Sequence, residues 1–365
     1  MKDIVILDAL RTPIGKYKGS LSNLTSVELA AAVSKALIER NAAVKSDITE
    51  AIFGSVLTAG QGQNIARQIS IQSGLSFNVP AFTVNEVCGS GLKAVLLARQ
   101  SIALDEAKIV LAGGTESMSN AETMQIDGLT DAFENIPMGL TVEKLVAEYG
   151  ITREAQDQLA YESHQKALNS DFSTEIIPVN GLGADEGPRP DSTLEKLAKL
   201  RTVFDEDGTI TAGNASSVND GAAAMLLSSR EYADQHTLDY LAVIKNSVEI
   251  AVSPEKMGVS PVEAITQLLD MSGLEKEQID RFEINESFAG SSLIIEQELK
   301  LDHSKVNVKG GAIAIGHPLG ATGARLLVTL SHQLVDNNEQ YGIAGLCIGG
   351  GLGIAVLLEN PHYVG

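Results

Sequence analysis

The chain has 365 residues, and its 47 acidic and 27 basic side chains give a formal net charge of −20 at pH 7. A surface of that sign repels a phosphate backbone, which argues against nucleic-acid binding. Apolar residues form 44% and charged residues 20% of the composition, which excludes a disordered chain. The length of the chain predicts two or three domain-sized units.

The N-terminus carries a short apolar run, 4–7, between two aspartates. The run is too short and too acidic for a signal peptide, and it predicts the first strand. No stretch approaches the ~20 apolar residues of a membrane helix, so we expect no membrane partner. The two cysteines, Cys88 and Cys347, have no CxxC or HxxxH pairing, so neither a disulfide nor a metal site is predicted. This cysteine usage favours the cytoplasm.

Short β-branched runs then alternate with longer helical patterns, which predicts an α/β protein built from βαβ units. The predicted strands are 52–57, 81–87 and 108–112, and the predicted helices are 26–40 and 91–103. These elements together form one α/β half.

The next segment has a different character, with scattered Met, Asn and Pro residues. It carries two charged helical patterns at 142–149 and 153–169, then a Gly/Pro/Asp-rich loop at 181–191. The sequence Ser-Thr-Leu-Glu at 192–195 is a capping-box pattern that opens a short helix. We predict that residues 118–218 form an inserted loop domain.

The last third repeats the order of elements found in the first, which indicates an internal duplication. The segment 262–284 parallels 27–53, and each half ends in a strand followed by glycines. The predicted halves are therefore 1–117 plus 219–240, and 241–365.

Cys88 lies at a predicted strand-to-helix turn, in the sequence Asn-Glu-Val-Cys-Gly-Ser-Gly. The positive end of a helix and its unpaired amides favour a thiolate, and the glycines allow a substrate carbonyl to approach those amides. The other interpretation is a buried structural cysteine.

His317 lies in a loop of small residues, 310–323, where it is the side chain able to move a proton near neutral pH. A glycine-rich turn with a satisfied histidine is the alternative. The loop lacks the GxxxxGK[ST] pattern of a P-loop.

Cys347 ends an apolar strand and precedes glycines whose amides can point at an oxyanion. A nucleotide-binding turn is the rival interpretation, but GxGxxG is absent. Asn285 follows the strand 282–284, before a helix predicted at 291–299. Asn285 either caps that helix or holds a water that donates to an oxyanion.

Six segments occur in the order found in one family and cover essentially the whole chain: NEVCGSGLKA, GGTESMS, TAGNAS with NDGAAA, NESFA, NVKGGAIAIGHPLGATGAR and LCIGGGLGIA. By these segments the sequence resembles thiolases of the acetyl-CoA C-acetyltransferase type. The resemblance implies duplicated βαβαβαββ halves in a five-layer α/β/α/β/α sandwich with an inserted loop domain. It also implies a homodimer or a homotetramer.

The same resemblance implies the catalytic roles. Cys88 would be the nucleophile that carries the acyl group, with His317 accepting its proton, and Cys347 would move the α-proton of the second substrate. One oxyanion hole would consist of His317 and a water on Asn285, and the other of the amides of Cys88 and Gly349. CoA and acetyl-CoA would be substrates, with no permanently bound cofactor and no metal.

The resemblance also implies a set of CoA- and acyl-binding positions: Leu129, Met138, Arg189, Ala212, Ser216, Val218, Met257 and Phe288. Arg189 would relieve the repulsion between polyanionic CoA and an acidic protein. The sequence departs from the family pattern at Pro137, where His is common, and at Ser287, where Ala is usual. The segment 168–189 is also shorter than usual.

By this resemblance, the expected reaction is the reversible condensation of two acetyl-CoA into acetoacetyl-CoA and CoA. Met138, Met257 and Phe288 would crowd the acyl pocket and favour short chains. The alternatives are degradative thiolysis of longer 3-ketoacyl-CoA and a non-catalytic acyl-CoA carrier. A ketoacyl synthase shares the fold, but it requires a Cys-His-His or Cys-His-Asn set, and the second cysteine argues against it.

Overall fold

The computed structural model describes residues 2–365, and Met1 of the predicted N-terminal half lies outside them. The strands are β1 Ile4–Arg11, β2 Gly15–Lys16, β3 Ile48–Gly54, β4 Ala81–Val84, β5 Ile109–Ser117, β6 Asn219–Ser229, β7 Ala242–Ala251, β8 Arg281–Ile284, β9 Tyr341–Ile348 and β10 Leu352–Glu359. The helices are α1 Ser26–Arg40, α2 Ile65–Gln72, α3 Ser90–Ala103, α4 Met124–Gly128, α5 Met138–Tyr149, α6 Arg153–Leu168, α7 Leu194–Ala198, α8 Arg230–Gln235, α9 Ser260–Ser272, α10 Ala289–Leu299, α11 Ala312–Ile315 and α12 Leu319–Asp336. Helices of the 3-10 type span Ala42–Asp47, Met118–Asn120, Pro254–Val259, Lys276–Gln278 and His303–Lys305.

The strand order of the two halves confirms the duplicated thiolase-like fold. The first half runs β4-β3-β5-β6-β1, with β3 parallel to β4 and β5. The second half runs β8-β9-β10-β7, with β8 parallel to β9. Val306 makes a single parallel bridge to Phe282, in the place that β4 takes in the first half. Backbone pairing of β1 with β7 joins the two halves along one edge.

Alternate side chains along each strand pack into different layers, because successive side chains point to opposite faces of a sheet. On β1, Ile4 and Ile6 belong to the central core, whereas Val5 belongs to the outer core beneath α1. On β10, Ile354 faces the central core and Ala355 faces the outer core beneath α9. Helices α3 and α12 pack against each other between the parts of the sheet that belong to the two halves. These are the five predicted layers.

Several predicted element boundaries were wrong, and the reasons are local. Strand β3 ends at Gly54. The Ser55 amide still donates to the Val84 carbonyl of β4, but the amides of Val56 and Leu57 donate to the Glu116 carboxylate instead of to a neighbouring strand. The N-cap of α7 is Thr193, whose side chain accepts from the Lys196 amide, so the capping box predicted from residue 192 is absent.

Residues 118–218, all of which the structure describes, supply α4 to α7 and no strand to the large sheet. Within residues 2–365, no helix is both long and apolar enough to cross a membrane.

Candidate active site

The turn around Cys88 is held in a strained conformation. Val87 has φ +48°, which is unusual for a β-branched residue, and its amide is held by the Asn85 side chain at 3.0 Å. The Ser90 hydroxyl accepts from the Glu86 amide at 2.8 Å and donates to the Val87 carbonyl at 2.6 Å. These bonds fix Cys88 two residues before α3 begins.

Burial dominates the ionisation of Cys88. Burial, with a smaller contribution from a negative charge on Cys347, raises the pKa of the thiol to about 12, although hydrogen bonds from the amides of Gly349 and Cys88 oppose the shift. The predicted bias toward a thiolate is therefore wrong for this environment, because desolvation outweighs the amides at the helix start. The Cys88 proton requires an acceptor.

Two hydrogen bonds hold the predicted acceptor, His317. Its backbone amide donates to Asn219 Oδ1 at 2.9 Å, and its Nδ1 lies 2.6 Å from Thr322 Oγ1. The Thr322 hydroxyl donates its one hydrogen to the Pro318 carbonyl at 2.9 Å, so it accepts from His317 Nδ1–H. This tautomer leaves a lone pair on Nε2. Burial, with a smaller contribution from Arg325, lowers the pKa of His317 to about 3, so the imidazole is neutral.

Asn285 lies behind His317 and does not cap a helix. Helix α10 begins at Ala289 with Phe288 as its N-cap, so the helix-cap interpretation of Asn285 is wrong. The Asn285 side-chain nitrogen lies 3.5 Å from His317 Nε2 and donates to Ser287 Oγ at 2.9 Å. The Ser287 hydroxyl in turn lies 3.4 Å from Cys347 Sγ.

The two cysteines, one from each half, line one cavity of about 210 Å³ together with His317 and Gly349. Most of the predicted CoA- and acyl-binding residues line the same cavity: Leu129, Met138, Ser216, Val218, Met257 and Phe288. Arg189 and Ala212 are exposed and do not line it. The Ser216 amide donates to the Ser287 carbonyl at 2.9 Å, which attaches the inserted segment to the catalytic loop.

Comparison with known families decides the class of the protein. The family model of the thiolase N-terminal domain matches residues 4–126 and 120–231, and the family model of the thiolase C-terminal domain matches residues 238–360. The chain belongs to the thiolase family. It is an acyltransferase enzyme.

Relatives of this thiolase match it along its whole length. A probable acetyl-CoA acyltransferase of Staphylococcus aureus is 46% identical over 392 aligned positions, covering 99% of this chain and 100% of the relative. An acetyl-CoA acetyltransferase of Pseudomonas aeruginosa is 45% identical with the same coverage. The alignment with the Staphylococcus aureus relative has 392 positions, whereas this chain has 365 residues. At least 392 − 365 = 27 aligned positions therefore hold a residue of the relative and a gap in this chain.

Solved thiolase structures share the fold closely. The Acat5 thiolase of Ascaris suum, in complex with coenzyme A, is 42% identical with a TM-score of 0.95 and covers 98% of this chain and 100% of its own. The human mitochondrial 3-ketoacyl-CoA thiolase is 36% identical with a TM-score of 0.94, covering 99% of both chains.

Several residues of this thiolase site were not predicted from the sequence. Phe204, which lines the cavity and packs edge-on against Phe288 with ring centres 6.1 Å apart, carries no motif that marks it. Thr322 lies within the segment NVKGGAIAIGHPLGATGAR. The one sequence signal for its hydrogen bond is its position one helical turn after Pro318. Glu116 accepts from the Gly320 amide at 2.9 Å and thereby ties β5 to the start of α12.

Proposed function

We propose that this thiolase condenses two acetyl-CoA molecules reversibly to acetoacetyl-CoA and CoA through an acyl-Cys88 intermediate. The observation that carries the proposal is the convergence of Cys88, His317 and Cys347 on one largely apolar cavity. A thiolate nucleophile suits this chemistry, because transfer between two thioesters is nearly balanced in energy and requires no alkoxide.

The first half-reaction acylates Cys88. His317 Nε2 takes the Cys88 proton while the sulfur attacks the acetyl-CoA carbonyl, and the tetrahedral intermediate then expels CoA, which receives that proton from His317. We assign stabilisation of the oxyanion to the amides of Cys88 and Gly349, which lower the pKa of the Cys88 thiol. One such donor typically contributes about 3–4 kcal/mol to the transition state.

The second half-reaction forms the carbon–carbon bond. The Cys347 thiolate takes the α-proton of a second acetyl-CoA, and the carbon then attacks the carbonyl of acyl-Cys88 and expels Cys88 as a thiolate. The proton on Cys347 passes to Cys88, which restores the starting state of both cysteines. We assign stabilisation of the enolate oxygen to a water held by Asn285 beside His317, because neutral His317 carries its proton on Nδ1 and has no hydrogen to donate from Nε2.

A short acyl chain is supported by the size and walls of the cavity. Met138, Phe204, Met257 and Phe288 surround its volume of about 210 Å³. Degradative thiolysis of longer 3-ketoacyl-CoA is the second candidate, because the human 3-ketoacyl-CoA thiolase superposes nearly as well as the short-chain relatives. The non-catalytic carrier is less well supported, because binding an acyl-CoA without turnover does not require two cysteines and a neutral histidine in the cavity.

We assign CoA binding to the inserted domain, 118–218. Its residues Leu129, Met138, Ser216 and Val218 reach the cavity, and the Ascaris suum thiolase of the same fold carries coenzyme A. Arg189 and Ala212 contact the outer part of CoA in this proposal, because both are exposed. The shortened segment 168–189 changes that outer contact.

We further propose a homo-oligomer in the cytoplasm. Strand β4 lies at one end of the sheet and exposes Phe82 at 39% of its surface, with Phe77 nearby at 76%. An apolar sheet edge of this kind is a pairing surface. Size-exclusion chromatography with light scattering distinguishes a dimer or tetramer from a monomer.

The deciding experiment is CoA-dependent thiolysis of acetoacetyl-CoA, run beside a longer 3-ketoacyl-CoA, with Cys88→Ser as the control. Cleavage confined to acetoacetyl-CoA and lost in the control supports the short-chain enzyme. Preference for the longer substrate supports the degradative enzyme. Tight CoA binding without cleavage of either substrate supports the carrier.

A further inference from the structure

The Ser287 hydroxyl lies between two predicted catalytic residues. It is 2.9 Å from the Asn285 side-chain nitrogen and 3.4 Å from Cys347 Sγ, and all three residues are buried. Alanine is usual at this position in the family pattern. The hydroxyl is therefore a feature of this chain that the proposed reaction has not used.

The hydrogen-bond directions follow from the donors present. The Asn285 NH₂ group can only donate, so Ser287 Oγ accepts from it. A hydroxyl carries one hydrogen, and within residues 2–365 the other side-chain contact of Ser287 Oγ is Cys347 Sγ. A Cys347 thiolate has no proton to donate, so toward the thiolate the Ser287 hydroxyl is the donor.

We propose that Ser287 is a positioning residue that stabilises the Cys347 thiolate, by a hydroxyl that Asn285 holds and that donates to Cys347 Sγ. The inference rests on the proposed function, in which that thiolate removes the α-proton of acetyl-CoA. In that step the C–H bond breaks and an S–H bond forms on Cys347. The electron pair left on carbon attacks acyl-Cys88, whose sulfur departs as a thiolate.

The surroundings of Cys347 make this hydroxyl important. The titratable groups that face it are Cys88 from the turn before α3 and His317 from the loop before α12, and His317 is neutral. The packed residues of α5 and of the 3-10 helix Pro254–Val259 are apolar, among them Val142 and Met257. Burial raises the pKa of Cys347, whereas the bond from Ser287 and the Cys347 amide lower it. No charged side chain contributes to that balance.

The test uses the fact that the chain has two cysteines. Cys88→Ala leaves Cys347 as the one thiol, so its ionisation can be followed by ultraviolet thiolate absorbance and by the pH dependence of iodoacetamide alkylation. In this background Ser287→Ala should move the titration to higher pH and slow alkylation about 10-fold at a fixed pH below the midpoint, the effect of losing one hydrogen bond to a charged group.

The matched control is Ser292→Ala, which removes another buried hydroxyl on α10 that bonds the Phe288 carbonyl and no predicted catalytic side chain. This control should titrate like its parent. An unchanged Cys347 titration in Ser287→Ala, or an equal shift in Ser292→Ala, overturns the proposal. Circular dichroism verifies that each variant is folded.

Exchange of the acetyl-CoA α-proton with deuterium oxide distinguishes a failure of the Ser287 proposal from a failure of the proposed function. In the Cys88→Ala background, exchange should require Cys347 and should slow in Ser287→Ala in parallel with alkylation. If the titration shifts but the parent exchanges no proton, the hydrogen bond to Cys347 is supported and the proposed function is refuted.

Discussion

Thr322→Val tests how the protein fixes the proton on His317. Valine has nearly the shape of threonine, so the change removes a hydroxyl without opening a cavity. The Pro318 carbonyl keeps its bonds from the amides of Ala321 and Thr322, at 2.9 and 3.0 Å, so the loss falls on His317 Nδ1 alone. The buried Nδ1–H then has no partner, or the proton moves to Nε2, where it blocks the lone pair that accepts the Cys88 proton.

The magnitude follows from the burial of this hydrogen bond. Thr322 is 1% and His317 6% exposed, so water does not replace the lost hydroxyl. An unsatisfied buried donor costs about 1–3 kcal/mol, which corresponds to about a 5- to 150-fold slower acylation step. Thr322→Ser keeps the hydroxyl and should retain most of the rate.

The assay is a single-turnover measurement of CoA release when excess enzyme meets acetyl-CoA, with acyl-Cys88 trapped and identified by mass spectrometry. Thermal unfolding of each variant separates a loss of rate from a loss of structure. If the Thr322→Val variant acylates at the parental rate, or if Thr322→Ser slows as much as Thr322→Val, His317 does not depend on this hydroxyl for its tautomer.

Three further outcomes follow from the packing and ionisation of the site. Cys88→Ser should abolish acylation by acetyl-CoA while leaving CoA affinity, measured by calorimetry, within a few-fold of the parent, since an undeprotonated hydroxyl is a poor nucleophile. A Cβ on Gly89 would overlap Ile348 Cδ1, so Gly89→Ala should lower the free energy of unfolding by about 1–3 kcal/mol in denaturant titrations. Adding Ile348→Val, which deletes that atom, should recover part of the loss, and strict additivity of the two changes would contradict the overlap. Burial raises the pKa of Glu116 to about 7 from 4.5, so the folded state holds this proton more tightly than the unfolded state. The contribution of Glu116 to stability is therefore present below about pH 4.5 and lost as the pH rises to about 7, and Glu116→Gln should flatten the stability profile in that window.

The sequence predicted an element correctly where the residues that start and end that element are neighbours in the sequence. Helix α1 spans Ser26–Arg40 as predicted, because Thr25 and Glu28 form a capping box at its start and Arg40 lies in its last turn. The strand predicted at 81–87 is shorter in the structure, where β4 ends at Val84 because Asn85 begins the turn that carries Cys88.

The chemistry of the site was less accessible from the sequence, because it depends on contacts between distant segments. The motifs identified Cys88 and His317, whose placement in one cavity makes the predicted roles testable. They did not reveal that burial reverses the expected ionisation of Cys88, since a helix-start argument includes no desolvation. Phe204 reaches the cavity by packing on Gly139 and Phe288, which no local pattern specifies.

The duplication explains why the site requires both halves. Helices α3 and α12 occupy equivalent positions and begin side by side, so closely that a Cβ on Gly91 would lie 2.6 Å from the Gly320 carbonyl. This contact brings the turn that carries Cys88 next to the loop that carries His317. The halves have diverged in what they contribute, since the second supplies His317 and Cys347 while the first supplies Cys88. Cys88 and His317, the predicted nucleophile and its predicted base, therefore come from different halves, and the chemistry depends on the close packing of two helix starts.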